Sequence, residues 1–465
     1  MSWTVYIAGL GWVSFVLALF AFTTPRRAVL MAMITGWLFL PNIGYPITGF
    51  KSKLAITCMV IVLASLIFTP GRFARLRPKL ADLPILVYCL WPFVAAYSNG
   101  FDYYESLSAS FDAFLNFGAA YLLGRMFFTD LRGLRTLAIG MFAGGLIYVP
   151  LCLWELRFSP QLHRIIYGFQ VQPFHTAVRF GGYRPLVFLD SGLMLAMWMT
   201  AASLLGFLLW RSGSLRRLWG MPVGPLLIVL LLTTVLCKSF GALALLACGL
   251  PTYWLSRRFR TAIPVLCLVA ATPLYMGLRI SGAWSGESLA VVSAQIGNEE
   301  RADSLRFRLQ NEEILIARAM QKPITGWGRW GRSLLLDERG KLISIPDGLW
   351  IILIGQFGLV GLTALTAVLL LPILLLLRRY PVRMWGHPLV APVGGIAILL
   401  ALFMIDSLFN SMINPVFVLG AGGLAGLRRS YSPFVQRRLP LPWKAPPLGA
   451  GAAAFASRGP GARAW

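Results

Sequence analysis

Acidic residues are scarce in this 465-residue chain: 17 Asp and Glu stand against 42 Lys and Arg, and charged residues of either sign make up only 13% of it. So little charge cannot clothe a water-soluble surface of this size, which excludes an ordinary soluble enzyme. Histidine is scarcer still. His163, His175 and His387 are the only three, and none sits at metal-ligand spacing with other donors, so neither a metal nor a cofactor is expected. The six cysteines (Cys58, Cys89, Cys152, Cys237, Cys248 and Cys267) lie inside apolar runs without paired spacing. They read as small packing residues, not as a disulfide framework. The glycine-rich GWGRWG at 326–331 lacks the Lys-Ser/Thr of a phosphate-binding loop, which argues against nucleotide chemistry.

What is abundant is apolar: 57% of the residues, with 30 Phe and 16 Trp and a mean hydropathy of +0.71. Runs such as 223–236 and 348–377 recur almost end to end, separated by short basic or Pro/Gly punctuation. The expected fold is all-α, a polytopic transmembrane helical bundle of about twelve to fourteen spans, each near the roughly 20 residues that cross the hydrocarbon core. Thirteen helices are expected, over 3–23, 28–48, 53–69, 83–98, 109–128, 133–154, 186–210, 223–238, 240–255, 261–279, 347–376, 388–410 and 412–427. The short pair 223–238 and 240–255 leaves tilted, re-entrant or merged arrangements open.

The net charge of +25 has a topological reading. The alternate connections 24–28, 70–82, 125–135, 211–217, 256–260, 377–387 and 428–465 hold 25 of the 42 basic residues and, of the acidic ones, only Asp82 and Asp130. This one-sided excess is the positive-inside pattern of a cytoplasmic face, and it argues against nucleic acid as a partner. The N-terminus is then expected outside and the C-terminus inside. The first apolar segment has no basic residue before it and Arg26 and Arg27 after it, the reverse of a signal peptide, so it reads as a retained span.

The chain divides into spans 1–154, an extracytoplasmic loop 155–185, spans 186–279, a large extracytoplasmic loop 280–346, spans 347–427 and a basic tail 428–465. The tail, rich in Pro, Ala and Gly, is expected to be disordered and to touch anionic membrane lipids. Within the large loop, Leu305, Leu309, Ile316 and Met320 recur at helical spacing with charges between them, the pattern of an amphipathic helix at the outer mouth of the bundle.

Ionisable groups in apolar segments are costly and therefore informative. Asp190, Lys238, Asp347, Asp406, Asn410 and Asn414, with Asp112 and Asn116, all fall toward the expected outer leaflet. Asp347 follows Pro346 and also suits a helix cap. The outer loops supply cations: Arg179 and Arg184, then Arg301, Arg306 and Arg308, then Arg329 and Arg332. Guanidinium forks bind phosphate oxygens bidentately, so an anionic headgroup such as a lipid diphosphate is the matching ligand. Some of these arginines also have carboxylates at helix-pair spacing, Arg308 and Glu312 among them. His163 and His175 read as loop residues.

Three stretches carry a family likeness. Ser304-Leu305-Arg306-Phe307-Arg308 followed by Lys322-Pro323-Ile324-Thr325-Gly326-Trp327-Gly328 resembles the Ser-x-x-x-Arg helix and P-x-x-G-x-G turn of the O-antigen ligase and polysaccharide polymerase superfamily of integral membrane glycosyltransferases. Arg184-Pro185-Leu186-Val187-Phe188 resembles that family's opening of a span after an outer loop, and Cys237-Lys238-Ser239-Phe240-Gly241 its short Ser-Arg-Gly turn. The likeness covers about 180–425. Two departures stand out: Asp347-Gly348 where ligases carry His-Asn, and Phe240 where they carry Arg, with Lys238 nearby as a substitute. They favour a polymerase of exopolysaccharide or O-antigen repeats over a ligase.

The resemblance implies a metal-independent glycosyltransferase in a bacterial inner membrane, in which an acceptor hydroxyl displaces a polyprenyl diphosphate from an anomeric carbon. Arg308, with Arg184 or Lys238, would stabilise the departing diphosphate, and Asp347 would serve as base or acceptor-orienting group. Arg301, Arg306, Asp190, Asp406 and Asn410 would complete the substrate-binding set. The expected partners are a polyprenyl-diphosphate-linked glycan, anionic lipids and other polysaccharide-assembly proteins. An O-antigen ligase acting on a lipid or protein acceptor, a transporter or flippase of lipid-linked sugars, and a noncatalytic assembly subunit remain rival readings.

Overall fold

A computed structural model describes residues 3–45, 51–179, 181–296 and 299–428. Helix follows the apolar runs. The first half contains α1 (Trp3–Phe22), α2 (Pro25–Phe39), α3 (Lys53–Phe68), α4 (Pro70–Ala74), α5 (Leu83–Tyr97), α6 (Tyr103–Ala113), α7 (Ala119–Phe127), α8 (Leu131–Phe158) and α9 (Leu162–Tyr167). The second half contains α10 (Gly192–Arg211), α11 (Val223–Leu236), α12 (Phe240–Phe259), α13 (Ile263–Ile280), α14 (Glu287–Ile296), α15 (Glu299–Ala319), α16 (Leu349–Arg379), α17 (Ala391–Phe409) and α18 (Pro415–Gly426). A π-helical turn at Phe114–Gly118 joins α6 to α7. The described residues also form two small hairpins, β1 (Val178–Arg179) with β2 (Gly182–Tyr183) and β3 (Arg217–Leu218) with β4 (Met221–Pro222), and short 3-10 turns at Leu80–Asp82, Phe174–Ala177 and Val382–Met384.

Local chemistry sets the helix starts. Ser52, Asp102, Asp130 and Ser191 each accept a hydrogen bond from the backbone N–H three residues on, closing α3, α6, α8 and α10. Such caps are worth about 1 kcal/mol each. Pro25 and Pro415 open α2 and α18, where their missing N–H costs nothing.

Several expected boundaries move. The helix expected over 28–48 ends at Phe39, because Pro41 cannot continue it. The one expected from 186 begins at Gly192, after an irregular Leu186–Ser191 turn that includes Val187 at φ 54°. The short pair consists of two separate helices, α11 and α12, parted by Lys238 at φ 51°.

Among the described residues seven helical segments are long and apolar enough to cross a membrane: Trp3–Phe22, Leu80–Tyr97, Leu131–Phe158, Gly192–Arg211, Ile263–Ile280, Leu349–Arg379 and Ala391–Phe409. Lys53–Phe68, Val223–Leu236 and Pro415–Gly426 are shorter apolar helices. The most apolar stretch of α10 is 89% buried and that of α17 83%, against 28% for α1. α10 and α17 are therefore the centre of the bundle, while α1 turns most of its apolar surface outward. Small residues let helices approach closely: a Cβ at Gly124 of α7 would collide with the Leu419 carbonyl of α18, and one at Gly422 with the Tyr121 carbonyl.

Residues up to Arg428 form one unit. The basic tail expected from 428 onward lies, from 429, outside the described residues.

Polar contacts gather at two ends of the helices. At one, Arg125 grips Asp82 through two bonds of 2.6 and 2.8 Å, Arg26 pairs with Asp130, and Arg379 donates to the Leu427 carbonyl. These are residues of the basic connections. The other end holds the candidate site.

Candidate functional site

The site forms where α15, the turn before α16 and the α17–α18 turn meet. Arg308 Nε lies 3.4 Å from Asp347 Oδ2, and Arg308 Nη1 donates to the Phe409 carbonyl at 3.1 Å. Asn410 Nδ2 donates to Asp406 Oδ1 at 2.8 Å, one turn back on α17. Leu349 N donates to the Asn410 carbonyl at 3.3 Å, tying the start of α16 to the end of α17. Arg308, Asp347, Asp406 and Asn410 are thus brought together, as one guanidinium among two carboxyls and an amide. Both partners of the ion pair keep about a third of their side chains exposed. Burial of the rest raises the Asp347 carboxyl above its ordinary range, and Arg308 beside it opposes that shift. Asp347 makes no cap bond to α16: Gly348 is the N-cap residue, with no side chain to offer.

What fixes Arg308 is a buried network one turn further along α15. Glu312 Oε2 accepts from the Tyr275 hydroxyl at 2.7 Å and from Arg279 Nε at 3.3 Å, and Glu312 Oε1 accepts from Trp350 Nε1 at 3.3 Å. Arg279 also donates to the carbonyls of Ser285 and Leu309, at 2.6 and 2.7 Å. Asn311 Oδ1 accepts from Ile345 N at 2.8 Å and holds the segment that leads to Asp347. Glu312 is therefore not the helix partner of Arg308 that its spacing allowed. It points inward, where burial raises its carboxyl while Tyr275, Arg279 and Trp350 oppose the rise.

A second polar group lies between α3, α8 and α10. Lys53 is fully buried, donates to the Phe188 carbonyl at 2.9 Å, lies 5.0 Å from the Trp37 ring centre and 3.9 Å from Asp190 Oδ1. Asp190 Oδ1 is itself buried and accepts no hydrogen bond among the described residues. Glu155 accepts the backbone N–H groups of Leu186 at 2.7 Å, Val187 at 2.8 Å and Leu162 at 3.1 Å, which shapes the turn that presents Asp190. Ser191 meets the Met412 sulfur at 3.8 Å, so this group borders the Arg308 group.

Arg184 is buried and folds against Gly192 at the start of α10, and the Lys238 ammonium lies against Gly182 of the β1–β2 hairpin. His163 Nε2 accepts from Asn42 N at 3.3 Å, which leaves Nδ1 to donate to the Phe169 carbonyl at 3.0 Å. That is a neutral imidazole, and burial lowers its pKa in keeping with it. Arg306 stands apart on the exposed face of α15, where Glu287, Glu299 and Asp303 converge on it at 2.9, 3.0 and 3.0 Å. Arg301 lies on α15, but its side chain, like that of Arg179, is outside the described residues.

Lys53, Glu155 and Arg279 escaped the sequence reading. Lys53 and Arg279 sit at the ends of apolar runs, where a cation reads as a boundary residue reaching for water. Their only sequence signal is that each directly continues an apolar helix.

Among the described residues no group of three or more His, Cys, Asp or Glu side chains could hold a metal ion. What the arrangement can do is grip an anion at Arg308 beside a carboxylate whose basicity exceeds that of an ordinary aspartate. The chain matches no protein-family model and no curated protein, so the site is read on its own geometry.

Proposed function

We propose that the protein is a membrane glycosyltransferase that polymerises polyprenyl-diphosphate-linked oligosaccharide repeats into exopolysaccharide or O-antigen on the outer face of a bacterial inner membrane. The observation that carries the reading is the Arg308–Asp347 pair at 3.4 Å, held at the mouth of a helical bundle by elements far apart in sequence. In this reading the bundle crosses the membrane about thirteen times, the seven long helices being joined by shorter ones. The large loop containing α14 and α15 faces outward.

Arg308 binds the diphosphate of the donor, and Arg184 and Lys238 are further candidate cations for it. As the anomeric C–O bond breaks, negative charge grows on the leaving diphosphate and the guanidinium stabilises it. Asp347 orients the acceptor hydroxyl and takes its proton as the new glycosidic bond forms. Burial raises its pKa and makes it a better base than a free aspartate, while the adjacent Arg308 opposes that shift. Donor binding between the two groups would loosen their mutual pair, coupling occupancy to release of the base. The Phe409 carbonyl, between Asp406 and Asn410 in the chain, fixes the far side of Arg308.

The test is incubation of the purified protein with a lipid-diphosphate oligosaccharide. Longer lipid-linked chains are expected. Transfer to a different acceptor would make the protein a ligase, and no transfer would remove the enzymatic reading. The fully buried Lys53 beside Asp190 favours a second reading, a transporter of lipid-linked sugars. Movement of the intact donor between leaflets without chain growth would select it.

A further inference from the structure

A different cationic pocket lies at the far end of α15. It is an open depression of about 560 Å³ walled by Asn99, Arg318, Lys322, Trp327, Trp330 and Arg332, with the Gly331 and Leu334–Leu336 segment as its floor. Arg318 stacks on the Trp327 ring at 3.4 Å, Lys322 lies 4.5 Å from the same ring, and Arg332 lies 4.0 Å from the ring of Phe101. The polar partners of these cations are neutral. Arg318 donates to Gln321 Oε1 at 2.9 Å, Arg332 to the Asn99 carbonyl at 2.9 Å, and Lys322 to Asn99 Oδ1. Arg318 Nε is buried and donates to nothing among the described residues.

Arg306, Arg279 and Arg125, by contrast, each meet carboxylates. Among the described residues none of Arg318, Lys322 and Arg332 makes an ion pair. Three like charges around one concavity repel each other, and an anion from outside relieves that repulsion.

The walls are rigid. Trp327 N and Gly328 N donate to the Gly355 and Gln356 carbonyls at 2.9 and 2.8 Å, Leu359 N donates to the Pro323 carbonyl at 2.7 Å, and Asn99 Nδ2 donates to the Gly326 carbonyl at 2.9 Å. Trp330, by contrast, leaves 60% of its surface exposed at the rim. Guanidinium groups match a carboxylate, an exposed indole face matches the apolar face of a sugar ring, and the volume suits a small ligand.

We propose that this pocket is a subsite for an acidic sugar, a uronate-type residue whose carboxylate is held by Arg318, Lys322 and Arg332 while its ring lies on Trp330. Arg308 and Arg318 share one helix ten residues apart, about 15 Å along its axis. A glycan held by its diphosphate at Arg308 reaches the pocket with a residue further along the chain. The inference rests on the transferase reading for the ligand being a glycan, and on the pocket alone for its charge.

The test is calorimetric titration of the full-length protein in phosphatidylcholine nanodiscs with hexagalacturonate and with neutral maltohexaose. Hexagalacturonate is expected to bind at least about tenfold more tightly. Arg332→Gln and Trp330→Ala, both at exposed side chains, are each expected to weaken it by about tenfold at unchanged melting temperature. Equal affinity for the two sugars, or variants that bind like the parent, would overturn the assignment. The titration is repeated in phosphatidylglycerol nanodiscs, where unchanged affinity is expected. Loss of sugar binding there would mean that a lipid headgroup occupies the pocket and would also overturn it. Polymerisation of lipid-linked donor without acidic-sugar binding sinks the subsite and spares the transferase. Binding without polymerisation does the reverse.

Discussion

Arg308 and Asp347 meet at 3.4 Å because α15 and the start of α16 are each anchored independently to the α17–α18 turn, the one through the Phe409 carbonyl and the other through the Asn410 carbonyl. In the transferase reading a guanidinium positioned this way receives the phosphate as its pair with Asp347 loosens. Its removal should therefore be felt in catalysis. Arg308→Ala is expected to abolish polymer formation at normal protein levels, a loss of roughly 3–4 kcal/mol in transition-state stabilisation. Arg308→Lys keeps the charge but loses the fork, and should recover only part of the rate. Transfer assays with purified variants check both, and polymer of unchanged amount and length in Arg308→Ala would falsify the diphosphate role.

Asp347 gives a pH prediction. Its carboxyl is raised by partial burial, so its ionised, base-competent form is lost as pH falls through a value above the ordinary aspartate range. The acidic limb of the rate profile should lie at that higher pH, with activity rising as pH increases through it. Asp347→Asn should lower the rate by roughly 10²- to 10⁴-fold and remove the limb. Full activity with an unaltered profile would leave Asp347 without a part in the chemistry.

The apolar runs made the helices legible, since a run of about 20 residues has few alternatives in a bilayer. Less legible was what each polar residue faces. Glu312 lies four residues after Arg308, the spacing of an ordinary helix pair, yet it turns inward to Arg279, Tyr275 and Trp350. Helical spacing fixes which side chains can meet, while packing against α13 and α16 decides which do. Arg306 and Arg308 are two residues apart on one helix, and that offset sends Arg306 to three exposed carboxylates and Arg308 to Asp347. The same limit hid Lys53, whose place in the core depends on the Phe188 carbonyl contributed from far along the chain.

The Glu312 network yields a stability prediction. Arg279 and Glu312 are both buried, and removing one leaves the other charged without its partner. Arg279→Ala or Glu312→Ala is expected to destabilise the protein by about 3–5 kcal/mol, whereas the double replacement with apolar residues of similar volume should cost much less. Thermal unfolding in detergent checks the order. Because this network holds α15, the single variants should also lose transfer activity although neither residue touches the donor.

Gly358 ties the loop after α15 to the span that follows. It interrupts α16 with φ 64° and ψ −166°, a conformation open essentially to glycine alone, and a Cβ there would run into the Ile324 carbonyl. The break frees the Gly355 and Gln356 carbonyls, which accept the Trp327 and Gly328 N–H groups. Gly358→Ala should favour continuous helix, expel the 323–328 turn and leave the 320–336 segment open to protease, with strain of about 1–3 kcal/mol before any clash is counted. Helical content should barely change. Transfer activity should fall, because the same turn connects the helix bearing Arg308 to the helix that follows Asp347. A variant as protease-resistant and as active as the parent would mean that this junction does not govern the placement of either residue.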